Sequence, residues 1–307
     1  MLDPLTIVRM KAAAGEGPIL VALSGGGDSV GLLMLLGREL PERDLCSIIV
    51  DHKLRAGSGD DAERATGIAS WLGSRAYIEE LSWPEGANRG HEAARSARYR
   101  ALCEAARKCG ARVIVTGHTR DDQAETVLMR ASRGPGLRGL AGIRAWARMP
   151  VWPQGRGLWL ARPQLNARRL ELRRELAAIG ADWIEDPANV NVKYARVRAR
   201  SLLEVMDEDH SLDPMRFAAL AERLQPLMDQ IDERATSLIS SAAAFDEDKI
   251  AIDQPRWRGE VGVKQRALDV LITAASGDER GPSTAQLENL SAALDQSEFR
   301  GATIAGA

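Results

Sequence analysis

Three polar clusters in the 307-residue chain combine residue types able to handle an activated phosphate. The first is Ser24-Gly25-Gly26-Gly27-Asp28-Ser29. Successive glycines leave no side chain to keep backbone N–H groups from closing around phosphate oxygens. The apolar run at helical spacing that follows puts those donors at a helix N-terminus, whose dipole attracts anions. An ordinary glycine turn between strand and helix would look similar. Asp28 argues for more, because a carboxylate in a phosphate cradle repels its ligand unless a divalent cation lies between them. Mg²⁺ prefers one or two carboxylates plus phosphate oxygens. Asp28 is therefore the candidate metal residue and Mg-nucleotide the candidate ligand. The loop is not a Walker A sequence, since no Gly-Lys-Ser/Thr follows, and Val30 stands at the third glycine of a dinucleotide fingerprint.

The second cluster is His118-Thr119-Arg120-Asp121-Asp122-Gln123-Ala124-Glu125-Thr126. At about 3.6 residues per turn, His118, Asp122 and Glu125 share a helix face. Acids in a first turn commonly cap free N–H groups and favour the dipole, which accounts for Asp121 or Asp122 taken singly. Glu125 lies past that turn. A carboxylate pair of Asp122 and Glu125 can hold Mg²⁺ or accept the ammonium of an amine substrate. The third cluster, Asp51 to Arg55, follows the apolar run Cys46-Ser-Ile-Ile-Val50.

Each cluster begins where an apolar β-branched run stops. Strands are expected at the apolar run Ile19–Leu23 and at Cys46–Val50, Ala76–Leu81 and Ala111–Val115, with a short one at Gly157–Arg162. Helical spacing covers Met1–Ala14, the stretch after Ser29, Gly59–Leu72, His91–Lys108, Thr119–Ala131 and Asn166–Ile179. Alternation of this kind predicts an α/β fold, a parallel sheet with helices on both faces and ligands at the carboxyl ends of the strands. Gly134, Gly136, Gly139 and Gly142 punctuate Arg133–Gly142 and argue against a regular element there, leaving an ordered binding loop or a plain connection. Beyond Arg200 the sequence is helical, acidic and poor in strand signals. A boundary near residue 202 is expected, giving a first domain of residues 1–201, a small helical C-terminal domain of 202–307, and a low-complexity tail from about Arg300.

Composition narrows the function classes. Hydrophobic residues make up 45 % and charged residues 27 %, with a formal net charge of -2, as in ordinary folded domains. No apolar run nears the roughly 20 residues that span a bilayer, and the N-terminus, with Asp3, Pro4 and Arg9, does not read as a signal peptide. A cytoplasmic protein without membrane contact is expected. Cys46, Cys103 and Cys109 form no C-x-x-C pair, which disfavours zinc and iron–sulfur sites. Between Gly86 and Arg148 there are 13 Lys/Arg against 5 Asp/Glu, whereas from Leu202 onward there are 10 against 20. A polyanion contacting the first part fits that asymmetry; so does a solvated arginine-rich face.

The glycine loop resembles that of the N-type ATP pyrophosphatase (PP-loop) superfamily, whose members cleave ATP between the α and β phosphates to adenylate a substrate. Further segments resemble one family within it, the tRNA(Ile)-lysidine synthetases: Val50-Asp51-His52-Lys53-Leu54-Arg55, Ala94-Arg95-Ser96-Ala97-Arg98-Tyr99, Gly117–Thr126, Arg133-Gly134-Pro135-Gly136-Leu137-Arg138-Gly139-Leu140 and Trp183-Ile184-Glu185-Asp186-Pro187-Ala188-Asn189. The resemblance runs from Ser24 to Arg200. It implies an adenine nucleotide alpha hydrolase-like domain that uses ATP and Mg²⁺ to convert the wobble cytidine of the CAU-anticodon tRNA(Ile) into lysidine. ATP would activate the cytosine at its C2 oxygen, and the amine of L-lysine would then displace AMP. On that reading Ser24, Gly25, Gly26, Gly27, Asp28, Ser29, Asp51 and His52 meet ATP. Asp122 and Glu125 meet the lysine amine, and Arg95 and Arg196 compensate phosphoryl charge. Arg55, Arg98, Arg133, Arg138, Arg198 and Arg200 meet tRNA phosphates. His52 and His118 contact the nucleotide, take a proton, or only satisfy loop carbonyls.

Val197 departs from the family pattern, standing at the asparagine of R-N-x-I-R within Arg196–Arg200, and so does Ala188, which stands at a serine. The C-terminal part matches no motif and is read by analogy as contacting tRNA or forming a homodimer. Competing readings are a tRNA thiolase, which the missing C-x-x-C pairs disfavour; a small-molecule amidotransferase or NAD synthetase relative, which leaves the arginine excess unexplained; and a non-catalytic nucleotide- or RNA-binding module, which leaves intact Asp28, Asp122 and Glu125 unexplained.

Overall fold

The computed structural model describes residues 1–55, 57–84, 86, 90–132, 136–185, 194–208, 213–246, 249–277 and 281–296. The chain divides into two compact units, Met1–Arg133 with Gly142–Ala221, and Gly134–Ala141 with Glu222–Ala307.

In the first unit α1 (Pro4–Ala14) leads into β1 (Ile19–Ala22), and α2 (Gly27–Glu39), β2 (Leu45–Asp51), α3 (Ser58–Trp71), β3 (Arg75–Glu80), α4 (His91–Cys109), β4 (Val113–Thr116) and α5 (Arg120–Ala131) follow in alternation. The single turn α6 (Leu137–Leu140) belongs to the second unit; β5 (Trp146–Arg148), β6 (Trp159–Ala161), α7 (Arg169–Ala178) and α8 (Ala195–Glu208) return to the first. The strands form one sheet in the order β3-β2-β1-β4-β6-β5. All pairs are parallel except β5 with β6. The expected parallel sheet is therefore mixed at one edge. Three residues of β5 are too few to show a period, and what holds them is tertiary: Trp146 stacks on Trp159 at 4.9 Å between ring centroids.

Alternation along β1 builds the core on both faces of the sheet. Ile19 and Val21 join Leu32, Leu33 and Leu36 of α2 and Leu172 and Leu176 of α7 on one side, while Leu20 and Ala22 join Leu102, Cys103 and Ala106 of α4 on the other. Helices α2 and α7 meet closely at Gly31, where a Cβ would stand 3.2 Å from that of Leu172. This packing sets the start of α7 beside the start of α2.

Helix α8 packs on α5 within the first unit, so the division falls one helix beyond the expected boundary at 202. The next helix, α9 (Met215–Ala242), begins in the first unit and continues into the second. There the antiparallel pair β7 (Ala243–Phe245) and β8 (Ile250–Ile252) precedes α10 (Val261–Ser276) and α11 (Thr284–Leu294). These residues enclose a core around Trp257, Leu268 and Leu271. The small hairpin corrects the purely helical expectation for this region; its three-residue strands carry no sequence period. Within the glycine-rich stretch only the turn of α6 is regular, and Arg133, Gly134 and Pro135 lie outside the described residues, as do Asp186–Asn189 and the tail from Arg300. Among the described residues no helix is long and apolar enough to cross a membrane.

Candidate active site

Strand β1 has β2 on one side and β4 on the other, so the chain's crossovers diverge there and leave a crevice at the carboxyl ends of β1 and β4. A cavity of about 530 Å³ occupies it, walled by the glycine loop, by Thr116, Gly117 and His118 after β4, and by residues of α5, α7 and α8. The loop after β4 comes this near only because residue 117 is glycine. A Cβ there would lie 2.8 Å from the Asp28 carbonyl oxygen and 2.9 Å from the Ser29 Cα.

The glycine loop is wired internally. Ser24 N–H donates to Ser29 Oγ at 3.1 Å, and Ser29 Oγ donates to the Gly26 carbonyl at 2.9 Å. Gly25 has φ +81°, a conformation that L side chains rarely adopt, and its carbonyl accepts from Ile184 N–H at 2.8 Å. Beyond it, α2 starts at Gly27 with first-turn N–H groups that have no partner inside the helix.

Arg169, the first residue of α7, crosses the cavity. Its Nε donates to Asp28 Oδ2 at 3.0 Å, its Nη2 to Asp122 Oδ1 at 3.2 Å and its Nη1 to Glu125 Oε1 at 3.3 Å. Asp122 serves two purposes: its Oδ2 accepts from Thr119 N–H at 2.8 Å, closing a capping box on α5, while Oδ1 faces Arg169. Glu125, 1 % exposed, is reached further by Arg200 Nε at 2.8 Å and Arg196 Nε at 3.4 Å. Asp121 instead caps α7, accepting from Arg169 N–H at 2.8 Å.

Burial pushes the Asp28 carboxyl upward against the pull of Arg169, and burial together with the Asp122 charge raises Glu125. For Asp122 burial also acts upward, but Arg169, Arg196 and the Thr119 N–H bond outweigh it and hold the carboxyl below its ordinary range. The His118 imidazole, bonded at Nδ1 to Thr116 Oγ1 at 3.0 Å, is lowered to about 3 by burial and then by Arg162. It is neutral near pH 7. Opposite the acids, Arg98 is lowered by burial and by nearby Arg95; their guanidinium carbons lie 5.9 and 4.9 Å from the Tyr99 ring centroid. A cation desolvated beside a second one invites an anion, and Arg98 is so placed.

Of the residues singled out in the sequence, Ser24, Gly26, Gly27, Asp28, Ser29, Arg98, His118, Asp122, Arg196 and Arg200 line the cavity. Gly25 shapes the loop behind it and Glu125 is buried beneath. Asp51 and His52 are not among the lining residues. The Asp51 carboxylate accepts from Lys53 N–H at 2.9 Å, and the His52 carbonyl accepts from Trp83 Nε1 at 2.7 Å. Arg55 pairs with Asp61, Arg138 with Asp232 inside the second unit, and Arg198 is exposed on α8. Arg95 stays against Tyr99. Sequence reasoning missed Arg169 altogether. One signal was present: the pair Arg168-Arg169 opens a helix at its positive dipole end, where acids are the rule.

The PP-loop domain family ATP_bind_3 matches residues 5–207. The tRNA(Ile)-lysidine synthase of Hyphomonas neptunium is 37 % identical over 297 residues, which cover 94 % of this chain and 77 % of that protein. That of a Methylobacterium species is 35 % identical over 301 residues, 95 % of this chain and 85 % of the other. The Caulobacter vibrioides protein of the same name is 41 % identical over 198 residues, and there the match spans 63 % of this chain and 47 % of the relative's length. Among solved structures, the U34-tRNA thiolase NcsA from Methanococcus maripaludis superposes with a TM-score of 0.56 at 17 % identity over 72 % of this chain and 77 % of that one. This last likeness concerns the fold.

Proposed function

The chain belongs to the tRNA(Ile)-lysidine synthase family of PP-loop proteins, and we propose that its cavity joins L-lysine to C2 of the wobble cytidine of the CAU-anticodon tRNA(Ile) at the expense of ATP. One observation carries the reading: a phosphate-type glycine loop and Asp122 line one cavity, and Arg169 joins Asp28 of that loop to Asp122 and to Glu125 buried beneath it. Energy source and amine site thus adjoin.

First-turn N–H groups of α2 hold the β and γ phosphates, and stabilise the charge that develops on pyrophosphate as it leaves. Arg98 and Arg196, both lining the cavity, offset the remaining phosphoryl charge. Attack by the cytosine C2 oxygen on the α-phosphorus forms the adenylated base. Neutral His118, held by Thr116, then accepts or donates a hydrogen bond to the nucleotide without adding charge. Asp122 and Glu125 bind the lysine ammonium and, as it loses a proton, the free amine attacks C2 and AMP leaves. A magnesium ion fits the donor set, because Asp28 Oδ1 is buried without a hydrogen-bond partner, and Asp28 would hold it. Bound there it would supply charge neutralisation at the phosphates.

The deciding experiment incubates the purified protein with ATP, Mg²⁺, labelled lysine and a tRNA(Ile) transcript. Label in the RNA is expected, with none when the wobble cytidine is replaced by uridine. Absence of label from the RNA in every condition would overturn the reading.

A further inference from the structure

The three nitrogens of the Arg169 guanidinium that donate hydrogen bonds each go to a different carboxylate, and two of those carboxylates are the acids assigned to the incoming amine. Charge around the site is balanced. Arg169, Arg196 and Arg200 face Asp28, Asp122 and Glu125. A substrate ammonium entering that set meets no net negative charge, and the carboxylate oxygens it needs are already taken, Asp122 Oδ1 by Arg169 and Glu125 Oε1 by Arg169 and Arg200 together. The contacts are uneven. All three exceed the roughly 2.7–2.9 Å of a strong charge-assisted bond: Nε lies 3.0 Å from Asp28, and the longer two go to Asp122 at 3.2 Å and Glu125 at 3.3 Å. Those two are the weaker attachments.

Arg169 also stands at the N-terminus of α7, where the helix dipole opposes a cation. Among the described residues, the acids hold it there. A nucleotide in the adjoining loop changes both terms. Its phosphates offer the guanidinium a bidentate partner, and a cation arriving with them competes for Asp28, whose Oδ1 is buried and without a partner.

We infer that Arg169 is a positioning residue that occupies the amine site as a placeholder cation until ATP arrives, then turns to the phosphates, freeing Asp122 Oδ1 and one acceptor position on Glu125 Oε1, which Arg200 continues to hold. Lysine binding is therefore conditional on nucleotide. This rests on the reading of Asp122 and Glu125 as the amine site. Adenylation before amine attack is thereby favoured by the order of binding, and the acids are shielded from other cations while the loop is empty.

Equilibrium binding of labelled lysine to the full chain, with and without Mg-ATP and in the absence of tRNA, tests the inference. Native protein is expected to bind lysine about tenfold more tightly with nucleotide, within the usual range of site-to-site coupling. R169Q should bind lysine with the same affinity in both conditions, and R169K, which keeps the charge but one donor nitrogen, should keep part of the dependence. Equal lysine affinity with and without ATP in the native protein overturns the placeholder role while leaving the proposed function intact. Dependence that persists undiminished in R169Q overturns it too. If lysine binds in no condition and the RNA takes up no label, function and placeholder fall together. Should R169Q fail to fold, as judged by its melting transition, the native comparison and R169K still decide.

Discussion

Asp28 carries a buried carboxylate oxygen without a hydrogen-bond partner, beside a guanidinium, that of Arg169, which donates to three carboxylates. Replacing it by alanine removes the phosphate-side carboxylate but none of the loop's N–H donors. Asp28→Ala is expected to lower ATP-dependent pyrophosphate release by about 10²-fold or more, with tRNA retention on a filter largely intact, since on the proposed reading other cations would meet the RNA backbone. Equal loss of both would mark Asp28 as structural. His118 makes a pH prediction. Its unfolded imidazole takes a proton near 6.5, its folded one only at about 3, so the neutral folded form loses stability as pH falls from 6.5 toward 3 and none of this loss is felt above that window. Asp122, lowered in the fold, gives way further down, below its ordinary 3.8. Urea unfolding of His118→Gln should therefore show a flatter decline between pH 6.5 and 4 than the native chain. Asp28, Asp122 and Glu125 were legible because their spacing from glycines and strand ends has a chemical meaning. Arg169 was not: its partners lie 141, 47 and 44 residues away in sequence, and only the fold makes them neighbours.

At the scale of elements, the site depends on how α7 seats against α2. Leu172, 1 % exposed, fills the space that Gly31 leaves open. Leu172→Ala should cost about 2–5 kcal/mol of stability in denaturant titration. Gly31→Ala should cost about 1–3 kcal/mol by overpacking the same contact. Both should disturb the Arg169 ion pairs, since Arg169 lies one helical turn before Leu172. Apolar runs such as Ile19–Ala22 and Val113–Thr116 read plainly as strands because both faces of the sheet are covered. Trp146–Arg148 and Ala243–Phe245 did not, because so short a strand is defined by the partner it pairs with and not by its own pattern.

The whole molecule comprises two units with separate cores. Trp257, 3 % exposed, lies in the second. Trp257→Ala is expected to destabilise that unit by about 3–5 kcal/mol. Limited proteolysis should then cut within residues 222–296 while ATP binding, whose candidate residues all lie in the first unit, persists. Loss of nucleotide binding in step with proteolysis would show that the two units melt together.

The backbone bond from Ile184 N–H to the Gly25 carbonyl has a consequence in time. Its ends are 159 residues apart, and at roughly 5–20 residues per second a ribosome needs about 8–30 seconds to travel between them. During synthesis the glycine loop emerges early without its clamp. A growing chain is thus expected to acquire nucleotide binding late, after the residues that govern how ATP is used have been made.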